Sequence, residues 1–159
     1  MTHIARSTAL LLALQAFAPG TVSADERADT TLTLGTRPAI VAFFGLPMSA
    51  ADADPDVGMV VGDLHFFLKD ARPALEQLGL DVHEVYETAI RLRTPDREWD
   101  LAMQGGLPVG YYLWAPKGPE YVCRGVRRDV DLLAIVGVYL DEVQKGAPSK
   151  LPQCDRVDP

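Results

Sequence analysis

Asparagine is absent from this 159-residue chain, so it contains no acceptor for N-glycosylation. Cysteine is scarce: Cys123 and Cys154 are the only two, and their separation rules out a CxxC redox pair. They also lack the companions that a tetrahedral zinc site needs. No serine stands in a GxSxG elbow, and neither a glycine-rich phosphate loop nor an HExxH pair is present. Positive charge is in short supply too, with 15 Lys and Arg against 22 Asp and Glu. Nucleic acids and anionic membranes are held by clustered cations, so neither suits this chain as a partner. The one cluster, Arg124, Arg127 and Arg128, runs into Asp129 and Asp131 and reads as a solvated helix start.

Long apolar runs are missing as well. The run from Thr8 to Ala18 is eleven residues, well short of the roughly 20 that a membrane-spanning helix needs. Arg6 precedes it, Pro19 and Gly20 break it, and Val22-Ser23-Ala24 offers small residues for cleavage. Residues 1–24 are therefore expected to be a signal peptide, with a mature chain starting at Asp25. The expected localisation is periplasmic or secreted, with no membrane insertion after cleavage. Residues 25–159 then carry 14 Lys and Arg against 22 Asp and Glu, a net charge of −8. That length suits one domain. In an oxidising compartment Cys123 and Cys154 are expected to form a disulfide, two free thiols being the alternative.

Residues 25–35 read as an N-terminal extension, with Thr31 to Gly35 as an edge strand. The apolar run Ala39 to Phe44 reads as a strand buried on both faces. Residues 46–58, rich in Pro, Ala and Asp, read as a long loop. A helix is expected from Val61 to Leu78, where Leu64, Phe67, Leu68, Ala71, Leu75 and Leu78 recur at spacings of three and four. Pro73 should kink it. The next segment, 80–87, reads as a strand. Thr94-Pro95-Asp96 supplies an N-cap, a first-turn proline and an acid, so 95–104 is read as a short helix. The competing reading is a hairpin of 89–93 against 98–103. A hairpin over 109–126 and a helix over 129–145 complete the domain, and 146–159 reads as an irregular tail.

This order of elements resembles the thioredoxin fold. Phe43-Phe44-Gly45 resembles the end of the strand that feeds the thioredoxin active site. Leu68 to Leu75, with Pro73, is similar to the kinked helix that comes after the cysteine pair. Gly106-Leu107-Pro108-Val109 resembles the cis-proline segment that precedes an aromatic strand, hairpin and last helix. The resemblance, to the periplasmic type, covers about residues 36–145. It implies an α/β three-layer fold, a central mixed sheet with helices on both faces, and a cis bond at Pro108. The redox pair is missing: its two positions fall on Met48 and Ala51 when aligned from the strand, or on His65 and Leu68 when aligned from the helix. Neither alignment supplies a thiol, so disulfide exchange is not expected.

Asp52, Asp54 and Asp56 alternate like a calcium loop, but Val57 replaces the turn glycine and Asp63 the twelfth-position glutamate. A solvated acidic segment is the better reading. Asp63 and His65, with His83 and Glu84, could in principle form a metal site, although nothing in their spacing requires one. Tyr111, Tyr112 and Trp114 are read as core rather than as a binding surface. The expected function is that of a non-catalytic binding or accessory protein of the bacterial cell envelope, without a cofactor. A groove of His65, Leu107, Pro108 and Val109 would hold a peptide or protein partner. The alternative is a thiol–disulfide oxidoreductase or metal-handling protein using Cys123 and Cys154 or His65.

Overall fold

A computed structural model describes residues 30–45, 48–87, 89–102, 109–146, 151 and 154–157. The expected signal peptide and the Leu107-Pro108 bond lie outside these residues. The elements in chain order are β1 (Thr30–Thr33), β2 (Ala39–Phe44), α1 (Met48–Ala53), α2 (Pro55–Gln77), β3 (Asp81–Val85) and β4 (Ala89–Arg93). Then come β5 (Glu98–Ala102), β6 (Val109–Trp114), β7 (Glu120–Arg124), α3 (Asp129–Lys145) and β8 (Cys154–Val157).

The composition of β2 dictates the layering. All six of its residues are apolar and buried, and successive side chains on a strand point to opposite faces. Ile40, Ala42 and Phe44 therefore enter one core, and Ala39, Val41 and Phe43 another. β6 is divided in the same way, with Val109, Tyr111 and Leu113 on the first side and Tyr112 and Trp114 on the second. These aromatic side chains are core, as expected. The first core is closed by α2 and α3. The second is closed by a three-stranded sheet, β1-β4-β5, which packs against the five-stranded sheet β3-β2-β6-β7-β8. The protein is thus mixed α/β, with two sheets. β2 and β3 are parallel, and the other neighbours in the larger sheet are antiparallel.

Four expectations are corrected. Residues 46–58 are not one long loop, because α1 occupies part of the segment and α2 begins at Pro55. Asp54 holds an extended N-cap geometry, its side chain accepts from Asp56 N at 2.9 Å, and Pro55 sits where a helix lacks a donor requirement anyway. The helix read over 95–104 is the strand β5, paired with β4. Ile90, Leu92 and Leu101 alternate into the second core, while Arg91 meets Asp100 and Arg93 meets Glu98 across the strands. Period-two burial and cross-strand charge pairing outweigh the capping signal. In consequence this face of the large sheet carries a second sheet where a helix was expected. Finally, the tail is not wholly irregular: β8 pairs with β7.

Elsewhere the expectations hold. α3 runs over the expected residues and ends at Gly146, whose left-handed φ of 66° and N–H bond to Glu142 O close the last turn. α2 buries Val61, Leu64, Leu68, Ala71 and Leu75 along one stripe and continues through Pro73 to Gln77. The Cys123–Cys154 disulfide is present.

Candidate functional site

α2 leaves the carboxyl end of β2 and runs back to the start of β3, so its first turns stand over the carboxyl ends of this parallel pair. Ligands of open α/β sheets bind at such ends. A groove of about 590 Å³ opens there, lined by Asp52 of α1, by Gly58, Val61, Gly62 and His65 of α2, and by Glu84 and Tyr86 at the end of β3. The α2 residues recur at three and four and so form a single stripe. Gly62 leaves the wall open, since a Cβ at that position would meet nothing within 4 Å.

Polar contacts converge on Glu84, which is largely covered. His65 Nδ1 lies 2.8 Å from Glu84 Oε1. A carboxylate only accepts, so Nδ1 carries the proton and the lone pair of the neutral ring is on Nε2. The Tyr86 hydroxyl donates to the same oxygen, and Arg72 Nη2 stands 4.0 Å from Glu84 Oε2. Arg72 is itself fixed by donating to Val82 O at 2.9 Å. Burial, reinforced by the bond to Glu84 and by its charge, holds the Tyr86 hydroxyl well above the usual phenol range. It remains a donor at any physiological pH.

The structure thus brings His65 and Glu84 together and adds Tyr86, which the sequence did not single out. It does not bring in the other groups considered as metal ligands. His83 points to the opposite face of β3 from Glu84, as alternation requires, and burial lowers its pKa. Asp63 is two residues from His65 along α2 and so faces another direction. Among the described residues no group of three or more His, Cys, Asp or Glu could hold a metal ion. Val109 is buried in the first core and pairs with Phe44, while Leu68 is fully buried under α2. Leu107 and Pro108 lie outside the described residues.

The groove has a base and a hydroxyl donor, but no Ser, Thr or Cys lines it among the described residues. The cysteines are at the other side of the sheet. In the order β3-β2-β6-β7-β8 the disulfide joins the last two strands, three strand spacings or roughly 14 Å from β3. Cys123 is buried and Cys154 half-buried against the first core.

A second polar cluster ties the two sheets together. Glu120, only 8% exposed, accepts from the Tyr112 hydroxyl and from Arg97, whose guanidinium also lies 3.9 Å over the Trp99 ring. Every oxygen named here has a donor, and the cluster reads as a strut between β5 and β7. Comparison with family models, with curated proteins and with solved structures finds no match.

Proposed function

We propose that this protein is an exported binding or accessory protein of the bacterial cell envelope. It uses a thioredoxin-like scaffold without redox thiols, and the groove beside His65 receives a partner. The observation that carries the reading is the placement of the two cysteines: both are joined in a cross-strand disulfide against the core, away from the helix start where a thioredoxin-like protein would work. The parallel β2–α2–β3 unit, the β6–β7 hairpin beside β2 and the return of α3 to the α2 face support the scaffold. The second sheet in place of a helix is this chain's own departure. Export rests on the N-terminal sequence pattern.

The groove's walls favour binding over chemistry. Val61 and two glycines offer apolar contact and close backbone approach, while His65, Glu84 and Tyr86 supply a ring nitrogen, a carboxylate and a fixed hydroxyl. Two measurements test this. The exported chain should neither reduce insulin nor oxidise dithiol peptides at thioredoxin-like rates, and substantial insulin reduction abolished by Cys123→Ser would overturn the proposal. A partner captured by the wild type should be lost by His65→Ala, an exposed position whose substitution leaves the fold intact.

A further inference from the structure

We infer that the occupant of this groove is a cationic protein segment carrying a large apolar side chain. The inference rests on the binding reading above and names the chemistry of the partner.

The apolar part comes from α2. Met59 is 62% exposed and Phe66 57% exposed, two of the few large apolar side chains left in water among the described residues. They lie two turns apart on one side of α2, next to the Gly58, Gly62 and His65 stripe that lines the groove. Gly62 sits between them with open space above it. A glycine in the middle of an exposed helix costs about 1 kcal/mol relative to alanine. At this position it lets an incoming chain approach the helix backbone between two apolar ridges. Exposed apolar surface rimmed by polar groups is the usual mark of an interaction site, and a buried aromatic or aliphatic anchor carries most of the binding energy.

The charge comes from the same segment. Between Arg37 and Lys69 the chain contains no Lys or Arg, but it contains Asp52, Asp54, Asp56 and Asp63. All four are exposed, and Asp52 lines the groove. Asp54 is engaged as the cap of α2. From Asp54 to Leu68 the exposed fixed charges of this segment are therefore all acidic, although only Asp52 lines the groove itself and Lys69, one turn beyond His65, is the first cation to follow. Such a field draws a cationic partner and repels an anionic one, and it contributes to encounter rate and selectivity. α3 has exposed Val130 and Val138 without this setting, because Arg127 and Arg128 stand at its start beside Asp129 and Asp131.

The test is a titration of the exported chain with three probes: a labelled lysine-rich peptide containing leucine and tryptophan, its glutamate-for-lysine counterpart, and spermine. The lysine peptide should bind, and raising the ionic strength about tenfold should weaken it by about tenfold or more. Met59→Ser with Phe66→Ser should weaken it at least about tenfold. Asp52→Asn with Asp63→Asn, which spares the Asp54 cap, should weaken it and flatten the salt dependence. Val130→Ser with Val138→Ser should change nothing. Equal binding of the glutamate peptide would overturn the inference, as would spermine binding as tightly as the lysine peptide. So would a dimer in sedimentation that Phe66→Ser dissolves, since a second copy would then cover the face. A groove partner that proves acidic or neutral would overturn this inference alone, whereas a groove that captures nothing would also remove the binding reading.

Discussion

Cys123 and Cys154 stand opposite each other on adjacent antiparallel strands, 4.0 Å apart at Cα, and their bond holds β8 to the edge of the sheet. The bond closes a loop with a sequence separation of 31 that contains the whole of α3. β8 is only four residues long; besides the backbone ladder and the bond, it is held by Val157 against the second core and by the ion pairs Asp155–Arg124 and Arg156–Glu142, both partly exposed.

Reduction, or Cys154→Ser, should therefore lower stability by roughly 3.5 kcal/mol in the chain-entropy account of such a loop. Urea unfolding with and without reductant measures the difference directly. Equal midpoints would mean that the bond constrains neither state. Two alkylatable thiols in protein purified without reductant would contradict the disulfide itself.

Stability should decline steeply at alkaline pH. All five tyrosines have phenol groups held above the ordinary value, with burial the leading cause in each. At Tyr112 burial outweighs the opposing influence of Arg97 and pushes the group up to about 12. A pKa raised on folding means that the unfolded chain ionises first. The stabilisation is complete below the unfolded value of about 10 and disappears as pH climbs through the folded value. The tyrosine contribution to stability should be constant below pH 10 and should fall as pH climbs from about 10 through about 12, the folded value of Tyr112. Phenolate absorbance should rise together with loss of structure. Five tyrosines that titrate near 10 in a fully folded protein would contradict the burial account.

Arg97→Ala should cost about 1 to 2 kcal/mol, the lower part of the range for hydrogen bonds to charged groups because the guanidinium is partly exposed. The variant leaves the Glu120 carboxylate buried with Tyr112 as its remaining partner, and it uncovers Trp99. Trp99 emission should shift as the cation leaves its ring, and Glu120→Gln should lose less because it keeps an acceptor for Tyr112. Unchanged stability and emission in Arg97→Ala would show that the strut does not join the two sheets.

Two tripeptides explain which parts of the fold could be read from sequence. Asp54-Pro55-Asp56 and Thr94-Pro95-Asp96 carry the same helix-start chemistry. The first does start a helix, although its surroundings, rich in Pro, Ala and Asp, read as loop. The second closes a hairpin: Thr94 N donates to Arg97 O at 2.9 Å, and Thr94 Oγ1 accepts from Arg97 N at 3.2 Å. A side-chain oxygen that accepts from the N–H three residues on serves an N-cap and a turn equally well. The residues C-terminal to each tripeptide separate the two: Val57, Val61 and Leu64 continue at helical spacing, whereas Trp99 and Leu101 alternate against Leu92 and Ile90. β2, most of α2, the β6–β7 hairpin and α3 were legible because each has one strong period or an unbroken apolar run. β8 was not, since its polar Asp155 and Arg156 give no apolar alternation and its pairing depends on a distant strand. At the site, His65 and Glu84 were legible as chemistry but not as neighbours. Their contact depends on the crossover that lays α2 over the end of β3, and Tyr86 arrives by the same route.

The central claim is that the α2 face beside His65 is where a partner binds. Gly62 and Gly137 are both helical positions where an added Cβ meets nothing within 4 Å, which makes each an open site for a photo-reactive aromatic residue, with circular dichroism checking that the variants fold. Gly62 lines the groove on α2 and Gly137 lies on the exposed side of α3. Irradiation of bacterial cells exporting the two full-length variants should give a discrete crosslinked adduct from position 62 and none from position 137. No adduct at position 62, or equal adducts from both, would contradict the account.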